Sequence, residues 1–388
     1  VPLLLSRPRQ QPVLLVLTLL ITLAVIALPL LSFAANRLVS GQPLMLWQVA
    51  QSWLLLLPLL WLWQGLWWKP RRLNLVMALL DAEILFVLLM FIGGQTAAQL
   101  ANSGSPLART AFGSGLWCAA ALAILLAAEA IRQLTASTPW RILLNLQIWI
   151  VPLILLLSGH LDHLSLMKEY ANRTAVFDAA FSQHLLLLGG TLLPTLLIGL
   201  PLGLAIARRP RWQSAAFSVL NLIQTVPSVA LFGLLIAPLA GLVAHFPVLA
   251  SWGISGIGLA PALIALVLYA LLPLVRSVVA GLQQVPQEVR ETARGMGMSA
   301  MQQFWHAELP LALPVWLSGL RVVVVQTIGL AVVAALIGAG GFGAIVFQGL
   351  LSSALDLVLL GVIPVVALAV VSDAALRLLS ALLERTDD

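Results

Sequence analysis

Ten long apolar stretches, separated by short polar segments, make up most of the chain: residues 12–31, 46–66, 75–93, 111–131, 140–158, 184–207, 215–242, 256–281, 313–337 and 354–383. A helix that crosses a bilayer needs about 20 predominantly apolar residues, because the hydrocarbon core is about 30 Å thick and each residue rises about 1.5 Å. The pattern predicts an all-α polytopic membrane protein with about ten transmembrane helices.

Composition narrows the alternatives. Of the 388 residues, 61% are hydrophobic and 9% charged, where a soluble domain carries roughly 25% charge. A soluble globule cannot be surfaced from that supply. The net charge of +6 is spread over an apolar chain with no basic face, which argues against nucleic acid as a partner. The lone cysteine, Cys118, offers neither a disulfide framework nor a cysteine metal site.

Lysine and arginine alternate between the connecting segments as the positive-inside rule requires. With the N-terminus inside, the cytoplasmic segments hold Arg7, Arg9, Lys69, Arg71, Arg72, Arg132, Arg141, Arg208, Arg209, Arg211, Arg276, Arg290, Arg294, Arg377 and Arg385. The outer loops hold only Arg37, Arg109, Lys168 and Arg173, and Arg321 falls inside a span. Both termini are therefore expected in the cytoplasm. A cleaved signal peptide is the competing reading of the start, with Ser32-Phe33-Ala34 as a small-residue cleavage site. The run from Val13 to Leu31 is longer than a usual signal core and leads into further spans.

Tryptophan divides the chain. Most of the 13, including Trp47, Trp53, Trp61, Trp63, Trp67 and Trp68, precede residue 150, as interfacial anchors of a lipid-facing bundle would. The polar outer segment His160 to Gln183 is the expected boundary between residues 1–180, with five spans, and residues 181–388, with five more. Around Asp162 the two imidazoles of His160 and His163 sit in a flexible loop without a further partner and make a poor metal site, so no metal is expected. No internal repeat at a fixed period is visible.

Residues 284–310 form the longest charged stretch on the cytoplasmic side. Pro286 sets a helix start, with Glu288 and Glu291 in the first turns, where carboxylates complement the macrodipole. Small Thr292 and Ala293 follow, and Gly295 and Gly297 permit a sharp turn before an amphipathic segment returns to Leu309-Pro310. The expected product is a helix-turn-helix knob suited to a groove on a soluble partner.

Glu291, Thr292, Ala293, three residues to Gly297, nine more to Ala307, then Leu309 and Pro310 resemble the E-A-A-x3-G-x9-I-x-L-P loop of ABC importer permeases. The family's usual Ala and Ile stand where this chain has Thr292 and Ala307. The segments 221–228 (NLIQTVPS), 261–276 (PALIALVLYALLPLVR), 295–299 (GMGMS), 309–314 (LPLALP) and 334–343 (AALIGAGGFG) look like the glycine betaine, carnitine and choline group. The resemblance covers residues 184 to 385, and with the extra N-terminal spans the chain looks most like permeases of Yeh-type glycine betaine importers. It implies a type I importer core in the bacterial inner membrane, paired with a second permease and bedded in membrane lipid. A cytoplasmic ABC ATPase dimer carrying ATP and Mg would grip the coupling loop. A periplasmic binding protein would deliver the solute. The chain itself would bind no cofactor; its only lysines, Lys69 and Lys168, lack any G-x4-G-K-[ST] context.

Gly338, Gly340, Gly341 and Gly343 lie between the last two expected spans at the outer face, as candidates for a gate or for close packing. Among charges inside spans (Asp81, Glu83, Glu129, Arg321, Asp356 and Asp373), Arg321 and Asp356 are the candidate conformational ion pair. Glu129 has Arg132 beside it for local pairing. Two other classes stay open: an ion-coupled secondary transporter, which leaves the 284–310 loop unexplained, and a membrane enzyme, for which His160, His163, His184, His245 and His306 are too dispersed. Few aromatics are available to cage a quaternary ammonium, so the affinity site is expected on the separate binding protein.

Overall fold

The computed structural model describes residues 12–36, 39–65, 71–103, 107–251 and 253–384. The expected positions of both termini, and of Arg7, Arg9, Arg37, Trp67, Trp68, Lys69 and Arg385, lie outside the described residues. Eight described helices are long and apolar enough to cross a membrane; Pro12–Ala27, Ser52–Gly65 and Phe342–Leu351 are apolar but shorter. The chain divides into two compact units, Val1–Asn172 and Arg173–Asp388.

The first unit contains α1 (Pro12–Ala27), α2 (Leu56–Gly65), α3 (Arg71–Ser103), α4 (Ser114–Leu134), α5 (Thr138–Gln147), α6 (Ile150–Leu157) and α7 (Ser165–Asn172). Helix α4 packs on α1 and α3, and their apolar faces share a core that includes Ile21, Val25, Leu85, Leu89, Leu126 and Ile131. Pro29 follows α1 and the chain turns extended. Strand β1 (Leu31–Ala34) then pairs antiparallel with β2 (Gln42–Leu44) on one side and β3 (Arg109–Phe112) on the other. Hydropathy hides this small sheet, because β1 begins inside an apolar stretch and its partners are three or four residues long. The second expected span is interrupted at Gln51, which takes a left-handed backbone (φ 59°), and only its later part is α-helical.

The polar segment 160–183 is largely helical, carrying α7 and the first turns of the next helix. In α7 the nearly fully buried Glu169 accepts from Arg109 Nη1 of β3 at 2.9 Å, and Lys168 Nζ donates to Ala108 O at 2.9 Å. Burial, and next the neighbouring Arg109 charge, hold the Lys168 ammonium below its ordinary pKa. His160 stacks on Phe91 with ring centroids 4.6 Å apart, and no metal-holding group of three His, Cys, Asp or Glu occurs among the described residues.

The second unit contains α8 (Thr174–Ala207), α9 (Pro210–Thr225), α10 (Ser228–His245), α11 (Val248–Ser251), α12 (Leu259–Gln283), α13 (Gln287–Gly295), α14 (Ala300–Gln303), α15 (Leu309–Ala334), α16 (Phe342–Leu351) and α17 (Leu355–Glu384). Helix α12 is the buried axis, flanked by α8 and α15. Gly199 and Gly203, four residues apart on α8, let it approach Leu274 and Val278 of α12 closely, as a small-xxx-small seam does where lipid supplies no hydrophobic drive between helices. Helix α8 starts ten residues before the apolar stretch, at Thr174, so its first turns extend beyond what about 30 Å of hydrocarbon requires. The seventh expected span is broken: Pro227 stands between α9 and α10, where its missing N–H and ring cannot continue α9.

Candidate functional site in the loop of residues 284 to 310

Pro286 caps α13 with extended backbone (ψ 143°), Glu288 sits in its first turn and Arg294 in its last, a charge order that suits the helix dipole. The helix stops in a Schellman motif. Gly297 takes φ +80°, its N–H donates to Arg294 O at 2.9 Å, and Met298 N–H donates to Ala293 O at 3.1 Å. Ser299 then caps α14 reciprocally: its Oγ accepts from Gln302 N at 3.3 Å, and Gln302 Oε1 accepts from Ser299 N at 2.9 Å. A π-helical turn, Phe304–Glu308, joins α14 to α15, so Ala307 lies in that turn and Leu309 and Pro310 begin α15.

Local signals build the two helices; tertiary contacts hold them together. Glu308 Oε1 lies 3.4 Å from Arg290 Nε and accepts from Gln303 Nε2 at 3.2 Å, while Gln303 Oε1 takes a long bond from Arg294 Nε at 3.4 Å. Arg290 also donates to Leu282 O, returning α13 to the end of α12. Buried Ala293 and Phe304 face inward, and the Arg208 guanidinium stands 5.7 Å from the Phe304 ring centre. Sequence reasoning missed Arg290, Gln303 and Glu308 as a set, because a carboxylate in one segment and two donors elsewhere have no spacing rule.

The outward face is different. Glu288, Glu291 and Thr292 are exposed, and Gln287 Nε2 donates to Glu291 Oε1 at 2.6 Å. Met296, Met301 and Trp305 are 66%, 66% and 57% exposed, large apolar side chains on an otherwise polar knob. Where α12 passes into α13, a hollow of about 510 Å³ is lined by Val285, Pro286, Gln287, Arg290, Glu291 and Arg294, among others. The chemistry is that of a braced surface with two exposed carboxylates, one of them held by Gln287, and exposed apolar side chains.

The quoted 221–228 and 261–276 segments meet in space. Gln224 Nε2 donates to Tyr269 O at 2.8 Å, Tyr269 Oη donates to Val226 O, and Arg276 Nη2 donates to Asn221 Oδ1 at 3.0 Å. These bonds latch the α9–α10 break onto α12 and give the Val226 carbonyl, at the break itself, a partner.

At the other end of the unit, Gly338, Gly340 and Gly341 all have φ between +72° and +82°. A Cβ on Gly340 would overlap Gln183 Oε1, which instead accepts from Gly341 N at 2.9 Å; a Cβ on Gly343 would overlap the Val332 carbonyl. Phe342, fully buried, is surrounded by Phe177, Phe181 and His184 of α8 at centroid distances of 5.3 to 6.1 Å. The turn leads into the ten-residue α16, which the hydropathy pattern did not separate.

The expected pairing of Arg321 with Asp356 is corrected. Arg321 Nε stands 3.3 Å from Asp373 Oδ1, and Asp373 Oδ2 is 2.7 Å from Arg377 Nε. Asp356 begins α17, about 25 Å from Asp373 at about 1.5 Å per residue, out of reach of the same guanidinium. Glu129 does pair locally, 2.8 Å from Arg132 Nε. Glu83 accepts from Gln147, and Asp81 is buried in the first unit.

Two family models match the chain: "ABC transporter permease YehY, N-terminal domain" over residues 8–167, and "binding-protein-dependent transport system inner membrane component" over residues 199–385. The osmoprotectant import permease protein OsmW of Salmonella typhimurium is 38% identical over 201 residues, covering 52% of this chain and 88% of that protein. The chain belongs to this family of ABC importer permeases. The permease is also 32% identical to the glycine betaine/carnitine/choline transport system permease protein OpuCB of Bacillus subtilis, over 47% of this chain and 76% of that one. A chain of the MetNI methionine ABC transporter aligns over 52% of the permease and 95% of its own length, at TM-score 0.44 and 22% identity, a likeness too slight to carry an argument. As a member of this family the permease has no ATPase site of its own; hydrolysis belongs to a separate subunit. The two matched regions fall one in each compact unit.

Proposed function

We propose that the permease forms part of the translocation pathway of an ATP-driven importer for a quaternary ammonium osmoprotectant such as glycine betaine. The observation that carries the reading is the 284–310 knob: a laterally braced frame that presents Glu291, Met296, Met301 and Trp305 to a partner. The named substrates of its relatives, osmoprotectants and glycine betaine, carnitine or choline, support the solute class. Both termini face the cytoplasm, on the same side as the knob, following the basic residues of the connecting segments.

In this reading the knob docks in a groove of a cytoplasmic ABC ATPase dimer, which binds ATP and Mg. Glu291 makes a charge-assisted contact with a basic residue there, and the three apolar side chains fill the groove. Braced by Arg290, Gln303 and Glu308, the knob moves as one piece with α12 and α15. The Gln224–Tyr269 and Asn221–Arg276 bonds pass that motion to α9 and α10. A second permease subunit, identical or related, completes the pathway, and a periplasmic binding protein supplies the solute at the outer face. Gly338 to Gly343 close the outer end of α15 against α8, as packing that a gate would move.

The test is purification of the tagged permease in mild detergent with whatever accompanies it, followed by uptake of labelled glycine betaine in proteoliposomes. Co-recovery of an ATPase, with uptake dependent on ATP, is expected. The variant Glu291→Arg should keep its melting temperature yet lose uptake by tenfold or more, the factor set by a charge-assisted contact of about 1.5–3 kcal/mol. Uptake that persists without ATP and follows an ion gradient would overturn the importer reading. ATP-driven uptake of a different amino-acid-like solute, with none of glycine betaine, would overturn the substrate alone.

A further inference from the structure

The geometry points to a binding site for an anionic phospholipid headgroup at Arg321 and Arg377, where α15 and α17 meet. Two guanidiniums share one carboxylate there: Asp373 offers Oδ1 to Arg321 and Oδ2 to Arg377, each approached through Nε. No other partner of either guanidinium is found among the described residues, so the cluster carries an excess positive charge. A cation in excess beside hydrocarbon is costly unless an anion answers it.

The surroundings identify that anion as lipid. Val366, Val370, Asp373 and Arg377 recur at helical spacing on one stripe of α17, and Val366 and Val370 are more than half exposed. On α15, exposed Val322 and Val325 flank and follow Arg321. The exposed surface is thus apolar along its length and basic at one end, the order of an acyl chain and its phosphate. The same end carries the basic residues assigned to the cytoplasmic side, and about 30 Å of helix, the thickness of the hydrocarbon core, separates Leu357 from Arg377. The two guanidiniums can fork onto phosphate oxygens while Asp373 fixes their spacing.

The experiment is native mass spectrometry of the permease, with its co-purifying subunits, in nanodiscs of zwitterionic phosphatidylcholine doped with phosphatidylglycerol. Arg321→Gln and Arg377→Gln should each weaken phosphatidylglycerol retention about fivefold. Asp373→Asn should retain as much or more, because it removes the competing carboxylate. A merely structural ion triad predicts instead that all three variants, the two arginine ones included, lose thermal stability together while phosphatidylglycerol retention stays at the wild-type level, and that result would overturn the site. Competition by millimolar inorganic phosphate at unchanged lipid content would show a free-anion site instead and overturn the lipid assignment. Equal retention by wild type and both arginine variants, as when a protein surface covers the stripe, would also overturn it.

Discussion

The two ends of the second unit solve the same problem, turning a helix back on itself, by different physics. At the 284–310 knob the turn is made by a Schellman glycine and a reciprocal serine cap, and the outer surface stays free. At 338–343 three left-handed glycines make the turn against α8, with Gln183 bonded to it and Phe342 sunk among rings. The first tolerates change at its face because little covers that face. The second does not, because positive φ bars a side chain at three of its glycines and Gly343 faces a backbone carbonyl that cannot retreat. Under the proposed function the first would serve as a coupling element, which must be rigid inside and available outside; the second need only be close-packed.

Breaking that contrast most severely should be Gly343→Val. Its side chain meets the Val332 carbonyl, a backbone atom, and overpacking of this kind costs about 3 kcal/mol. The expected readout is a large fall in the detergent melting temperature or in membrane yield, while Glu291→Arg at the other end moves neither. If Gly343→Val melts with wild type, the glycine turn is packed less tightly than the Val332 carbonyl contact implies.

Tyr269→Phe comes next. It keeps the ring and deletes the bond to Val226 O, leaving the carbonyl before Pro227 unanswered, at about 1–2 kcal/mol. Faster hydrogen exchange in α10 than in α13 would place the loss at the latch; uniform exchange would argue that α9 and α10 are held by packing alone.

The smallest effect belongs to Ser299→Ala, which removes the α14 cap for about 1 kcal/mol. Exchange should rise in 299–303 and nowhere in the glycine turn. Restoration by Ser299→Asp, an equally good cap, would show that the cap matters and not the hydroxyl itself.

Much of the knob was legible because its parts are local. Pro286, the carboxylates of the first turns and Gly297 act within one or two helical turns of their own position, and the 284–310 spacing carried the family likeness. The brace was not legible: Arg290 and Glu308 are far apart along the chain and meet only because α13 folds back on the π-helical turn. Arg321 illustrates the same limit. From sequence the expected partner is Asp356, and only the packing of α15 on α17 shows that Asp373 is the aspartate within reach.

By itself the chain determined that it lives in a membrane, where its apolar stretches run, how its basic residues alternate between the connecting segments and where the 284–310 knob turns. Each of these rests on hydropathy, charge or short-range backbone preference. The tertiary structure alone decided which apolar stretches break or shorten, how 221–228 meets 261–276, which aspartate answers Arg321, and that the outer glycines are packed against α8. The reason is the solvent: in a bilayer both the buried and the lipid-facing sides of a helix are apolar, so the amphipathic stripe that reveals packing faces in water is missing, and only the contacts themselves distinguish them.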